Sequence, residues 1–291
     1  MSSITYSVPQ PGRDERWGII HSRQAQAFLS AGEQVVHYDA PPDAATLARI
    51  RSAHLWAPYG DALTEVPALI ATLPSLVSLS IGPGAIDPAL IGRLRADMFP
   101  PSLRHLMLTP GQGNHTWKGG PMPRLESLFV DRPLRFEPED FSGLASLSVV
   151  PDNRGAALER ALQLPLRELD LLNVPFDETL FGRVATLPLE AFGLVGGRTL
   201  KTLDGIEALP QLRALRIKNQ NALQSIGALR GLPQLARLDI QYCKHITDVA
   251  VLDELADLQR LTLVGCGKLG LGELHARLEA RVPQTNIAAT T

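Results

Sequence analysis

The chain has 291 residues, 45% of them hydrophobic and 20% charged, so it can bury a sizeable core and is not intrinsically disordered. Its formal net charge of −2 supplies no basic field, which argues against nucleic acid or an anionic membrane as a partner. Two cysteines are too few for a secreted disulfide scaffold and indicate a reducing compartment.

Residues 1–45 are predicted to form an N-terminal cap. WGIIHS (17–22) and QVVHY (34–38) have the composition of strands, and RQAQAFLSA (23–31) between them is expected to be a short helix. This region shows no apolar signal segment, and no later stretch approaches 18 uninterrupted apolar residues. We therefore expect a cytoplasmic protein that does not bind membranes.

A leucine pattern then repeats through residues 46–270. LPQLRALRIKNQ (209–220), LPQLARLDIQYC (232–243) and LADLQRLTLVGC (255–266) align without gaps, at a spacing of 23 residues. Each contains L-x-x-L-x-L/I, and less regular copies upstream bring the total to about ten units. The first anchor of each unit is Ile50, Leu76, Leu103, Leu125, Leu144, Leu166, Leu189, Leu212, Leu235 and Leu258.

This pattern resembles the leucine-rich repeat family, whose units of about 20 to 29 residues follow L-x-x-L-x-L-x-x-N/C-x-L. Each L-x-L segment is a short strand with alternate side chains turned inward, and a single such strand cannot bury its apolar face. The resemblance implies an α/β solenoid, curved like a horseshoe. We expect a parallel sheet on its concave side and short helices or 3₁₀ turns on its convex side. The Pro, Ala and Arg-rich composition suggests a bacterial source.

Several segments between the strands have helical apolar spacing. They are DPALIGRLRADM (87–98), NRGAALERALQLP (153–165) and DVAVLDELADL (248–258), which are predicted to be short helices or 3₁₀ turns of the convex wall. LGELHARLEARVP (271–283) has the same spacing and is expected to cap the last repeat, followed by a loose tail. Residues 271–291 thus form the predicted C-terminal cap.

The segment TPGQGNHTWKGGPMP (109–123) is the longest departure from the repeat period. A nucleotide-binding P-loop needs G-x₄-G-K-[ST] ahead of a helix, whereas Lys118 is followed by two glycines, which excludes that kind of site. Two interpretations stay open. The segment either presents Trp117 to a partner as an exposed aromatic anchor, or it is a flexible insertion.

Side chains at the third, fifth and seventh positions of each unit are expected on the concave sheet, opposite the buried leucines. Trp56, Met107 and Phe129 fall at such positions, and exposed groups of this kind are typical anchors of protein interfaces. Alternatively, they pack under the N-terminal cap or under the 109–123 loop.

A basic cluster on the last repeats is the second feature of this face. Arg216, Lys218, Arg237 and Arg260 are interrupted only by Asp239, so they either steer an acidic protein surface or form an ordinary solvated face. The candidate partner-binding residues are Trp56, His105, Met107, Trp117, Phe129, Asp170, Arg216, Lys218, Arg237, Asp239 and Arg260.

Cys243 and Cys266 are separated by the repeat length and occupy the ninth repeat position, where the family has Asn or Cys. The resemblance implies a structural role, in which the side chain turns inward and caps backbone groups. We expect two reduced, buried thiols. QYCKHITD (241–248) also resembles the cysteine-containing subclass, many members of which are substrate adaptors joined to an F-box, but residues 1–45 show no such domain. The positions that match this subclass are Cys243, Ile246, Thr247, Asp248 and Leu252.

The sequence offers no set of residues for catalysis. It has no H-E-x-x-H, no G-x-S-x-G and no cysteine or histidine spacing that suits zinc, so we expect no cofactor and no metal. We therefore predict a non-enzymatic, monomeric module that binds another protein on its concave face. Within that class, an immunity or antitoxin-like protein and a host-directed effector are alternatives. An enzyme subunit with a site in the cap is a further alternative.

Overall fold

Every predicted repeat forms a strand, because inward leucines alternate with outward side chains over four or more residues. The chain divides into two units, residues 1–164 and residues 165–291. The structure is a computed structural model, and it describes residues 16–22, 34–55, 62–82, 86–87, 89–152 and 155–288.

In the first unit, the strands are β1 (Arg16–Ile20), β2 (Gln34–His37), β3 (Ser52–Leu55), β4 (Ser78–Ile81), β5 (His105–Leu108), β6 (His115–Thr116), β7 (Ser127–Val130), β8 (Leu134–Arg135) and β9 (Ser146–Val149). Seven of them form a parallel sheet in the order β2-β1-β3-β4-β5-β7-β9, and β6 pairs with β8 separately. The two strands predicted in the N-terminal cap are confirmed as β1 and β2, whereas the helix predicted at 23–31 lies outside the described residues.

In the second unit, six parallel strands follow the chain in order: β10 (Glu168–Val174), β11 (Ala191–Gly197), β12 (Ala214–Gln220), β13 (Arg237–Gln241), β14 (Arg260–Val264) and β15 (Gln284–Ala288). From β10 to β14 each residue pairs with the one 23 positions later, as Leu215 does with Leu238 and Leu238 with Leu261. The repeat length of 23 residues therefore sets the register in which these strands pair.

Short helical segments return the chain from one strand to the next, as the apolar spacing predicted. The α-helices are α1 (Ala44–Ala48), α2 (Leu90–Arg93), α3 (Ala156–Ala161), α4 (Thr179–Val184) and α5 (Glu273–Arg281), and most other returns are 3₁₀ turns, such as 227–231 and 250–253. The helix predicted within 271–283 is confirmed as α5. The loose tail predicted after it is wrong for Gln284–Ala288, which adds β15 to the sheet. No helix in the described part of the chain is long and apolar enough to span a membrane.

Aliphatic side chains from the inward strand positions fill the core. In the second unit, Leu215, Leu238 and Leu261 stack in register and are at most 2% exposed. Full burial of one such side chain contributes about 1.5 to 3 kcal/mol, so a stack of repeats accumulates stability that one repeat cannot supply. Phe181 and Phe192 add a T-shaped aromatic contact, with ring centroids 6.4 Å apart.

In each of the five repeats that contain strands β10 to β14, the eighth position has a positive φ. The column consists of Asn173 (54°), Gly196 (70°), Asn219 (54°), Tyr242 (56°) and Gly265 (69°), again 23 residues apart. Glycine and asparagine adopt this left-handed conformation at the lowest cost. The turn that it makes points the ninth residue inward.

Cys243 and Cys266 occupy that ninth position and are both buried and free, which confirms the structural interpretation of the pair. Their thiols lie against strand carbonyls. The Cys243 Sγ is 3.5 Å from the Gln241 carbonyl oxygen, and the Cys266 Sγ is 3.4 Å from those of Ile240 and Val264. Burial raises the pKa of the Cys243 thiol to about 12 and also raises that of Cys266.

Gln220 occupies the ninth position of the preceding repeat and is fully buried. Its amide fills the space beside Gly197, where an added Cβ would lie 2.3 Å from the Gln220 Oε1. Neither amide atom has a hydrogen-bond partner among the described residues. An unsatisfied buried amide costs free energy, so this column carries a stability defect at one position.

We expect the native protein at pH 8 to react slowly with a thiol reagent, because burial and a raised pKa leave little thiolate at either cysteine. Unfolding in guanidinium should release two thiols per chain without a reductant. A colorimetric thiol titration measures both quantities. A count of zero in the unfolded, unreduced protein, restored to two by prior reduction, would show a disulfide and contradict the expectation.

Gln220→Met should increase the free energy of unfolding by about 1 to 3 kcal/mol, because it removes an amide without partners and retains an unbranched side chain of similar length. Denaturant unfolding measures the change. Gly197→Ala is the matched opposite change and should be destabilising, since its Cβ meets the Gln220 amide. A loss of stability in Gln220→Met would show that the amide is hydrogen-bonded in solution.

Candidate binding surface

The outward face of the second unit carries the third, fifth and seventh side chains of β10 to β14. Most of them are half-exposed, and Arg237 and Arg260 are exposed. The six candidate residues predicted in this part of the chain share this one face, as the strand alternation required. They are Asp170, Arg216, Lys218, Arg237, Asp239 and Arg260.

Asp170 on β10 reaches across β11 to Arg216 on β12. Gly193 lies between them in register, and a Cβ on it would lie 1.7 Å from the Asp170 Oδ1. The absence of a side chain at Gly193 lets the carboxylate approach Arg216, whose Nη1 is 3.7 Å from the Asp170 Oδ2. This ion pair therefore bridges three strands and fixes Arg216 on the face.

Arg237 on β13 and Arg260 on β14 are direct neighbours in register. The Arg260 Nε donates to the Gln284 Oε1 at 2.7 Å, whereas the Arg237 guanidinium group makes neither a hydrogen bond nor an ion pair within the described ranges. Nor does any described carboxylate lie within 4 Å of either guanidinium group. Two like charges thus stand side by side without compensation.

Lys218 and Asp239 are two further charged residues of this face. The Lys218 Nζ lies 5.7 Å from the centroid of the Tyr242 ring, and the Asp239 carboxylate accepts from the Gln241 Nε2 at 2.9 Å. No ion pair to Lys218 is formed by the residues that the structure describes. We name Lys218, Arg237 and Arg260 the basic face.

In the first unit, the expected exposure of two candidates is wrong. Met107 is 7% exposed and Phe129 is 1% exposed, although both point outward from the sheet and are neighbours in register. Ser80 and Ser148, beside them in register, are also buried. Alternation decides which face a side chain takes, not whether that face is covered. Burial therefore favours the packing interpretation.

His105 lies at the start of the same strand as Met107 and is half-exposed. Burial of the ring is the main cause of its lowered pKa. The charge of Arg104 also lowers this pKa, whereas the carboxylate of Glu126 raises it. Its Nδ1 atom is buried without a hydrogen-bond partner in the described part of the chain. Both observations disfavour the charged form of the His105 ring.

Trp117 is 3% exposed, which contradicts the interpretation that the 109–123 loop presents it to a partner as an exposed anchor. Its ring packs against Phe141 with centroids 5.2 Å apart, and its Nε1 donates to the Gly120 carbonyl at 2.9 Å. Strand β6 within the loop pairs with β8. The loop is therefore anchored by its aromatic residue. Trp56 lies outside the described residues.

Gly193 and Tyr242 are functional candidates that the sequence interpretation missed. Gly193 is an outward position without a side chain, and Tyr242 replaces the Asn or Gly of the positive-φ column. An alignment of the repeats identifies Tyr242, because it is the one bulky residue at the eighth position of the repeats that contain β10 to β14.

Within the described ranges, no group of three or more His, Cys, Asp or Glu side chains is arranged to hold a metal ion.

The chain matches no protein-family model and no curated protein. Among solved structures it is similar to TLR13 in a complex with ssRNA13, at 17% identity and a TM-score of 0.50, over 80% of this chain and 38% of that one. An internalin, InlF from Listeria monocytogenes, is 18% identical with a TM-score of 0.43, over 80% and 65% of the two chains. A leucine-rich-repeat protein of Leptospira interrogans is 16% identical with a TM-score of 0.43, over 83% and 68%.

This chain thus spans less than two thirds of the length of TLR13 and of InlF. At these identities the likeness concerns the fold alone. It agrees with the regular repeat in the sequence and with the parallel strand that each repeat forms. The chain has a leucine-rich-repeat fold.

Proposed function

We propose that this chain is a non-enzymatic binding module and that another protein binds its basic face. The observation that carries the proposal is the registered pair Arg237 and Arg260, which has no carboxylate within reach among the described residues. Like charges directly opposite each other in a sheet are destabilising. A surface that keeps such a pair exposed is suited to an external group that neutralises it.

Carboxylates are the groups that fit this surface best. A guanidinium group presents a planar fork of donors that pairs with a carboxylate through two parallel hydrogen bonds. Lys218 adds a third cation on β12, next to β13. An acidic patch on a partner protein would meet all three and gain both association rate and specificity.

Nucleic acid is the competing ligand class, since TLR13 is seen with single-stranded RNA. Its phosphates would bind the same cations. The face also carries Glu168, Asp170 and Asp239, and the chain as a whole has a net charge of −2. The evenly spaced phosphates of a nucleic acid would be repelled by these carboxylates. A protein whose acidic groups are confined to one patch avoids this repulsion and is therefore the favoured ligand.

Gly193→Ala should decrease the free energy of unfolding by about 1 to 3 kcal/mol, because the added Cβ displaces the buried Asp170 carboxylate from its place beside Arg216. Chemical denaturation of four proteins measures it: wild type, Gly193→Ala, Asp170→Ala and the double variant. The glycine substitution should cost little when Asp170 is absent, since the two residues are in contact. Equal costs in both backgrounds would contradict this geometry.

Arg237→Glu combined with Arg260→Glu should reduce recovery of the partner by more than tenfold, because attraction to its acidic groups becomes repulsion. The measurement is affinity purification from cells that encode the chain, with quantitative mass spectrometry. Lys201→Glu is the matched control: it reverses an exposed cation that lies outside the outward face, between β11 and β12, and should leave recovery unchanged.

Equal recovery by the wild type and the double variant, with both proteins folded, would contradict the proposed surface. Recovery that depends on RNA and disappears after nuclease treatment would show that the ligand is nucleic acid. The thermal midpoint of the double variant should stay close to that of the wild type, because two opposed glutamates replace two opposed arginines and neither arginine has a carboxylate partner in the described structure.

A further inference from the structure

Tyr242 has a backbone conformation that its side chain disfavours. Its φ is 56°, and the other members of its column are asparagine or glycine. A bulky residue in the left-handed region is a genuine outlier, since its Cβ crowds the neighbouring carbonyl. The turn itself needs only a residue that tolerates positive φ, so the fold gives no reason for tyrosine here.

The Tyr242 ring is fixed in place on the edge of the outward face. It lies on Gly265, where an added Cβ would be 2.4 Å from the Tyr242 Cδ1. On β12, the Lys218 ammonium group lies 5.7 Å from the ring centroid. A cation at this distance is attracted to the electron-rich ring. The ring is therefore held between the backbone of Gly265, which has no side chain, and the Lys218 ammonium group of the basic face.

The exposure of Tyr242 shows that the ring is not a core group. The residue is half-exposed, and its hydroxyl group makes no hydrogen bond to any residue that the structure describes. Strained backbone at a surface position, with an accessible aromatic ring, is typical of a site where the side chain serves a ligand. Tyrosine is also among the residues that most often dominate interface energies.

We propose that Tyr242 is the aromatic anchor of the basic face and that its occupant is an acidic protein segment bearing an apolar side chain. This proposal rests on the proposed function. The apolar side chain packs on the ring, while carboxylates of the same segment pair with Lys218, Arg237 and Arg260. Charge complementarity selects the acidic segment, because these three cations have no carboxylate partner in the described structure.

Two labelled 12-residue peptides of equal charge test the proposal by fluorescence anisotropy. One repeats Glu-Gly-Glu-Gly and the other repeats Glu-Leu-Glu-Gly. The wild type should bind the leucine peptide at least tenfold more tightly than the glycine peptide, since only the former has a group for the ring. Tyr242→Asn should remove that preference and leave the glycine peptide unaffected, whereas Tyr242→Phe should retain it.

Thermal unfolding of the same proteins separates an anchor from a structural residue. The midpoint for Tyr242→Asn should equal or exceed that of the wild type, because asparagine suits the positive φ. A midpoint lower by several degrees would identify the ring as a structural group and overturn the proposal. So would an undiminished preference for the leucine peptide in Tyr242→Asn.

Charge reversal distinguishes failure of this proposal from failure of the proposed function. If Arg237→Glu with Arg260→Glu abolishes binding of both peptides and Tyr242→Asn changes nothing, only the anchor is wrong. If the wild type binds neither peptide, the acidic segment is wrong as well. Tighter binding of an oligouridylate of equal charge than of the leucine peptide would replace the acidic segment with RNA. Lys201→Glu, the matched control, should behave as the wild type.

Discussion

Each strand from β10 to β14 must leave the sheet at the same point of its repeat, and this constraint determines the arrangement of the residues around it. The eighth residue of the repeat takes a positive φ, which ends the strand and turns the next residue inward. If one repeat paired with its neighbour one residue out of register, the inward and outward sets of its side chains would exchange faces. The register of leucines, the buried cysteines and the outward charges all depend on this turn.

The turn also explains the composition of the ninth position. A side chain there lies inside the solenoid beside strand carbonyls, which suits a small weak donor such as the thiols of Cys243 and Cys266. Gln220 is longer, and it fits only because Gly197 in the preceding repeat has no side chain. Neighbouring repeats therefore adjust to each other in size, and the repeat is not a set of independent positions.

The turn determines which side chains point outward but not which charges they carry, and these charges are arranged in two different ways. At one end, Asp170 neutralises Arg216 across Gly193, so charge and backbone are matched within the fold. At the other end, Arg237 and Arg260 stand together without a carboxylate in the described structure. Since the same sheet can pair its charges, the unpaired end is better explained by an external partner than by chance.

The fold could be predicted from the sequence, because a strand with alternate leucines has one stable arrangement, which is to stack on its copies. Exposure could not. Met107 and Phe129 occupy outward positions as expected but are buried, since burial depends on what covers a face. Trp117 lies in a glycine-rich loop that composition describes as exposed, yet its ring packs on Phe141.

The residues that depart from the repeat rules lie close together in the second unit, and their clustering indicates a function. A glycine or asparagine would satisfy the turn at Tyr242, and a carboxylate or neutral residue would satisfy the sheet at Arg237 or Arg260. A sequence under selection for stability alone would remove both departures, and random drift would scatter them. Instead, Arg237 lies on β13, Arg260 lies on the neighbouring β14, and Tyr242 directly follows β13 with its ring next to Lys218. Local violations that cluster on an otherwise consistent fold are typical of a functional site.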